Sequence, residues 1–296
     1  MDLSLLFPGQ DFSNPGSMAP RLTLGDGAMG TALQEAGLPP GVAPERWLQE
    51  HPDAVRAVHA AHHAAGARWV QTNTFGGTRS RLTLAGLEEQ VALLNATAVV
   101  LARAGAPELP VLGCLGPTTA PSTEWEFLYA EQVEALAETG VDGFVVETIL
   151  GVEEGIAAVR AAAATRAGPV LASYTPGQGG NALDGTPLET MAEALQRAGA
   201  AAVGLNCGAG PESLLAPARR LVRAKIAPVL AAPNAGLPEW PDGPAGRARY
   251  PLSPDGFAHA AIQFQEAGVT LFSGCCGVSA RHLRAAAQAL GLNLPG

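Results

Sequence analysis

The chain has 296 residues, 47% of them hydrophobic, and a formal charge of −9. That charge excludes a nucleic-acid binder built on clustered Lys and Arg, and no apolar run reaches the ~20 residues of a membrane-spanning helix. The length is enough to bury a substantial core and is consistent with one large domain or two small ones.

The first twenty residues, MDLSLLFPGQDFSNPGSMAP, carry Asp2, no early basic residue and no small-residue cleavage site, so they do not read as a signal peptide. We expect residues 1–20 to form an N-terminal tail, with Met18 as an alternative start. The 4 cysteines have no framework spacing, which points to a reducing cytoplasm and to thiols that bind metal or react.

From Arg21 onward, short apolar β-rich runs alternate with Ala- and Leu-rich amphipathic stretches. The runs are RLTLGDG from Arg21, WVQTNTF from Trp69, PVLGCLG from Pro110, GFVVETI from Gly143, PVLASYTP from Pro169, AAVGLNC from Ala201, APVLAAPNAG from Ala227 and VTLFSGCC from Val269. Helical stretches such as PERWLQEHPDAVRAVHAAHHAAG and GVEEGIAAVRAAAATRAG lie between them, several closed by Gly as a helix C-terminus should be. Continuous apolar strands alternating with helices indicate a parallel sheet covered on the outside. Eight such units over residues 21–296 predict a single α/β domain, a (β/α)8 TIM barrel. A doubly wound open sheet is the alternative.

A barrel places its chemistry at the strand C-terminal ends. The polar residues ending the eight runs are Asp26, Asn73, Cys114, Glu147, Tyr174, Cys207, Asn234 and Cys275. Cys275 and Cys276 are adjacent and bracketed by Gly274 and Gly277. In a continuing strand their side chains would face opposite ways, so a shared metal requires the backbone to turn there. A disulfide between neighbours is the rival, and it would be strained: Cα atoms ~3.8 Å apart fall short of the usual ~4.4–6.8 Å. Cys207 and the pair close the sixth and eighth strands, so three thiolates can meet over the mouth. Three thiolates with an open fourth position describe a catalytic zinc site better than a closed structural one. Cys114, alone in GCLGP, reads as a buried small hydrophobe.

These segments resemble the homocysteine S-methyltransferase family. The matching pieces are DGAMGTALQ from Asp26, TNTFGG from Thr72, GCLGPT from Gly113, ETIL from Glu147, GLNCG from Gly204, PNAGLP from Pro233 and SGCCG from Ser273. They follow in order from about residue 21 to residue 290. DGAMGT, LDGTP at Leu183 and PNAGLP look closest to the N-terminal homocysteine module of cobalamin-dependent methionine synthase. Ser273 stands where the family usually has Gly, which leaves the ligands in place.

The resemblance implies Zn2+ on Cys207, Cys275 and Cys276, with Asn234 as a fourth ligand when substrate is absent. It further implies that Asp26, Glu147 and the backbone amides at Ala28 and Met29 hold the amino-acid end of L-homocysteine, and that Thr72 and Asn73 shape the pocket. From the residues alone, Asp26 is equally a turn residue before Gly27, Glu147 a helix cap, and Thr72 and Asn73 partners of backbone groups at the rim. The methyl donor is either a small molecule or a corrinoid or folate carrier protein. The expected reaction is methyl transfer to the homocysteine thiolate, and the rivals are a non-catalytic zinc- and homocysteine-binding subunit and methylation of a related thiol or selenol.

Trp240 and Tyr250, in the Pro- and Gly-rich run from Gly236 to Pro251, are expected over the mouth, either facing a cationic donor or anchoring the loop. His59, His62 and His63 have metal-compatible helical spacing but belong to an outer-ring helix, where a solvated or packing face is the expectation. TPGQGGN from Thr175 matches no dinucleotide or phosphate-loop pattern and reads as loop. An aldolase-type barrel lacks its lysine, because Lys225 falls in a helical stretch.

Overall fold

The computed structural model describes residues 3–6, 22–241, 243 and 246–295. Residues 7–20 of the expected tail, including Met18, lie outside the described residues.

All eight expected runs form strands: β1 (Thr23–Leu24), β2 (Val70–Gln71), β3 (Val111–Leu115), β4 (Gly143–Ile149), β5 (Val170–Tyr174), β6 (Ala202–Cys207), β7 (Val229–Pro233) and β8 (Leu271–Phe272). They pair in parallel in the order β1-β8-β7-β6-β5-β4-β3-β2, and helices fill the connections. The (β/α)8 reading therefore holds, and the open doubly wound alternative does not. The seam between β1 and β2 has no ladder of its own. It is bridged by the Arg68 N–H donating to the Leu24 carbonyl at 2.8 Å and by the Gln71 N–H donating to the Asp26 carboxylate at 2.7 Å.

Side-chain alternation along each strand sorts the core into shells. Val111, Phe144, Val146, Val170, Val203, Leu205 and Val229 are buried against the surrounding helices. Leu112, Val145, Leu171, Ala202, Leu230 and Leu271 pack with Trp69 inside the cylinder. Two residues further along the same inward faces come Cys114, Glu147, Ser173, Ser273 and, beside them, Asn206. The barrel is apolar in its lower layer and polar in its upper one.

Leu3 and Leu6 flank the short turn Ser4–Leu6 and pack into the lower layer, with Leu6 wholly buried. This part of the expected tail closes the cylinder at the end away from the strand C-termini. Gly25 permits the close fit of that interior, since a Cβ there would stand 2.3 Å from the Trp69 ring.

The first long helical stretch is broken by Pro52 into Trp47–Glu50 and Pro52–Ala64, because proline removes an N–H and clashes with the preceding turn. Lys225 lies just past the helix Pro211–Ala224 as its left-handed cap, φ 54°. Among the described residues, no helix is long and apolar enough to cross a membrane.

Candidate metal and substrate site

Cys207 ends β6, and Cys275 and Cys276 follow β8, so the neighbouring β7 brings their ends together. The three sulfurs lie within 4.8 Å of one another, and Cys207 Sγ stands 3.0 Å from Cys275 Sγ. Two backbone departures make this convergence. Cys207 adopts φ 61°, outside the strand region, and the chain turns after β8, where the Cys275 N–H donates to the Pro233 carbonyl at 2.9 Å and the Val278 N–H to the Cys275 carbonyl at 3.0 Å. Gly277 completes the turn at φ 80° beneath the Tyr250 ring; a Cβ would sit 2.3 Å from that ring. Hydrogen bonds from Cys207 and Cys275, aided by the Tyr250 hydroxyl, pull the Cys276 thiol pKa down. Bonding to Cys207 and Cys276 and burial push Cys275 up. Cys207 is raised too, the bond with Cys275 being outweighed by the one with Cys276 and by burial, so the cluster by itself favours one anionic sulfur among the three.

Asn234 follows β7 at the same rim. Its Nδ2 donates to the Gly208 carbonyl at 2.9 Å, whereas its buried Oδ1 has no partner. An orphaned buried carbonyl oxygen beside three thiols is costly unless something accepts its lone pairs. Sulfur and oxygen donors of this kind suit a divalent ion such as zinc, so the residues present fit the group the resemblance implies.

Asp26 and Glu147 lie at the same rim: Asp26 follows β1, beside β8, where its carbonyl accepts from the Gly274 N–H at 2.8 Å, and Glu147 lies in β4. Asp26 is 2% exposed, its carboxylate accepting from the Gln71 N–H at 2.7 Å and from Gln71 Nε2 at 3.1 Å. Desolvation raises its pKa to about 7 despite those bonds, with the Glu147 charge adding to the rise. Burial likewise raises Glu147 to about 7, although the Cys114 thiol donates to its Oε1 at 3.2 Å. Among the described residues, no ion pair neutralises either carboxylate. Two acids held close together out of water can accept a positively charged group.

The remaining candidates divide. Met29 opens the helix Met29–Glu35, where the first N–H groups have no intrahelical acceptor. The Ala28 N–H, also expected there, donates to the Val278 carbonyl at 2.9 Å. Thr72 Oγ1 accepts from the Cys114 N–H at 3.0 Å and pairs with Thr74 Oγ1 at 2.6 Å. Asn73 Nδ2 donates to the Pro44 carbonyl at 2.9 Å. Both side chains serve the rim backbone, which is the structural alternative open for them in the sequence.

Tyr250 packs on Gly277, whereas Trp240 is 49% exposed. The loop between them is held by a bridge between Glu239 and Arg249 and by Arg247 donating to the Gln34 carbonyl at 2.8 Å. His59 and His62 are buried, as a packing face requires, but their helix is nearer the site than expected: the Gly27 N–H donates weakly to His62 Nδ1 at 3.5 Å. The glycine-rich run from Thr175 is a loop with one 3-10 turn. Sequence reasoning missed Gln71, Thr148, Asn206 and the bond from Cys114 to Glu147. Asn206 is the one with a local signal, as the polar neighbour of Cys207 in an otherwise apolar strand.

The fold and site define a (β/α)8 barrel carrying a cluster of three thiols that could hold a metal ion, beside two buried carboxylates. The sequence model for homocysteine S-methyltransferase matches residues 23–290, and the chain belongs to that family. It is 35% identical over 300 residues to a methionine synthase of Mycobacterium leprae, covering 93% of this chain and 25% of that protein. It is also 31% identical over 301 residues to betaine–homocysteine S-methyltransferase 1 of Rattus norvegicus, covering 92% of this chain and 73% of the relative. The chain thus spans about a quarter of the length of the methionine synthases it matches. The metallated homocysteine methyltransferase MmuM of Escherichia coli superposes with a TM-score of 0.77 at 25% identity, covering 90% of this chain and 95% of that one.

Proposed function

We propose that this chain transfers a methyl group to the sulfur of L-homocysteine, giving methionine, at a zinc site formed by Cys207, Cys275 and Cys276. The observation that carries the reading is the pairing of three converging sulfurs with two buried carboxylates at one barrel mouth. An amino acid with a thiol at its far end matches both halves at once.

Zinc bound there would acidify a coordinated thiol and keep its sulfur anionic at neutral pH, where a free thiol of pKa ~8.5 is mostly protonated. Asp26, braced by Gln71, and Glu147 take the substrate ammonium. The free N–H at Met29 faces its carboxylate. Asn234 Oδ1, which has no other partner, would be the fourth ligand while the substrate is absent. No residue need act as a general base, and the protein's contribution is to fix the sulfur in line with the methyl group. Free thiols suit a reducing cytoplasm.

The quarter-length match to methionine synthases favours a methyl group delivered by a corrinoid or folate carrier protein. The match to betaine–homocysteine S-methyltransferase 1, over 73% of that protein, favours a free donor such as betaine, S-methylmethionine or S-adenosylmethionine. Zinc-loaded protein supplied with homocysteine and each of these donors, with methylcobalamin in parallel, should form methionine with at least one. Zinc-loaded protein that binds homocysteine and forms no methionine with any of them would instead indicate a methyl group supplied by a partner protein or a binding subunit.

A further inference from the structure

Asn206 lies directly under the sulfurs and is wholly buried. Its orientation is determined by a group that can only donate: the Thr148 backbone N–H reaches Oδ1 at 2.9 Å, so the carbonyl oxygen must face Thr148. Ser173 Oγ joins the same oxygen at 3.2 Å. The two N–H bonds of the amide are therefore directed to the other side, where they are shared among Thr148 Oγ1 at 2.8 Å, Cys207 Sγ at 3.7 Å and Cys275 Sγ at 4.0 Å. This one side chain joins β4, β5, β6 and the turn after β8.

Two of the residues it holds are strained. Thr148 has φ 59° and Cys207 φ 61°, left-handed backbone that non-glycine residues rarely adopt and that persists only when the surroundings hold it. Thr148 follows Glu147, and Cys207 is a member of the thiol cluster. The amide thus ties the strand end bearing the carboxylate to the strand end bearing the sulfur.

We propose that Asn206 is a positioning residue for the thiolate cluster: its N–H groups donate to the Cys207 and Cys275 sulfurs, withdraw part of their charge and hold the β4 and β6 ends in one register. The proposal rests on the metal reading above. Groups that orient and polarise metal ligands typically change affinity by ~10–100-fold when removed, and here the donor is an amide aimed at anionic sulfur in a desolvated layer.

The test uses the full chain with zinc, and with cobalt as a spectroscopic substitute, in wild type, Asn206→Ala, Asn206→Asp and Thr148→Val. Asn206→Asp keeps the shape but replaces donors by an acceptor. Zinc affinity, measured by competition with a chelator, is expected to fall ~10–100-fold in both Asn206 variants. The thiolate-to-cobalt charge-transfer bands are expected to move to lower energy, a shift that mere loss of packing would not produce. Thr148→Val, which removes the hydroxyl that accepts from the Asn206 amide at 2.8 Å and itself lies 4.0 Å from the Cys207 sulfur, should shift the bands in the same direction by less. Wild-type affinity and unshifted bands in a folded Asn206 variant overturn the proposal. If neither Asn206 variant folds, unshifted bands in Thr148→Val overturn it. A wild-type chain that takes up neither metal overturns the reading of the site itself, a separate result.

Discussion

The two layers inside the barrel obey opposite rules. The lower layer, Leu112, Val145, Leu171, Leu230 and Leu271 closed by Leu3 and Leu6, leaves no charged group and fills space with aliphatic side chains. The upper layer, at the strand C-terminal ends, holds two desolvated carboxylates, an orphaned amide oxygen and two strained backbones. Only the first is organised for stability. The second retains groups whose cost is offset when a ligand arrives, and the stable layer beneath is what keeps them in place.

Substitutions on the two sides of this boundary should separate cleanly. The largest functional effect is expected from Cys207→Ser: metal content falls to background and methyl transfer with it, while thermal unfolding stays cooperative. Metal analysis and turnover on the same sample check both. The largest stability effect belongs to the lower layer, where Leu171→Ala should cost about 2–5 kcal/mol in denaturant unfolding and leave metal stoichiometry intact. Loss of metal in Leu171→Ala would show that the layers are not separable.

Asp26→Asn and Glu147→Gln should raise the KM for homocysteine at least tenfold, with little change in metal content. They also test a pH dependence. Both carboxyls titrate at about 7 in the fold, against about 4 in an unfolded chain. A raised acid pKa means that the folded state holds the proton more tightly. The stability this contributes is full below pH ~4 and is lost as pH rises to ~7. The ligand-free protein should therefore lose stability over that interval, and either substitution should flatten the slope in a melting-temperature series. The smallest effect is expected from Trp240→Ala, which exposes nothing buried and should stay within about 0.5 kcal/mol of wild type; a rise in the KM for a cationic donor would assign the ring to donor binding.

The barrel and its thiols were legible in the sequence because both depend on order along the chain. Strand periodicity marks the eight units, and the Gly-bracketed cysteine pair marks the turn. What escaped depends on how distant segments meet. Asn206 and Cys207 are neighbours in a strand and should face opposite ways; the left-handed backbone at Cys207 puts both beside the sulfurs, which no pattern of residue types announces. The Ala28 amide is consumed by Val278, 250 positions away in sequence. Gln71 belongs to TNTFGG's approach strand, yet its role appears only where β1 and β2 come alongside. Leu3 and Leu6 look like a tail because the proline- and glycine-rich run after them hides their link to the barrel.

That β1–β2 contact has a consequence for the whole cylinder. Elsewhere the wall is stitched by strand-to-strand ladders, but here much of the stitching is a side chain, Asp26, clasping Gln71 through both carboxylate oxygens. The same oxygens are the ones proposed to meet the incoming ammonium. Occupancy and wall integrity therefore share a fastener: a cation at Asp26 holds it ionised and strengthens the clasp, and an empty, protonated Asp26 loosens it. The barrel should breathe at this one seam, and the Gln71 amide should exchange its hydrogen more slowly when the substrate is bound.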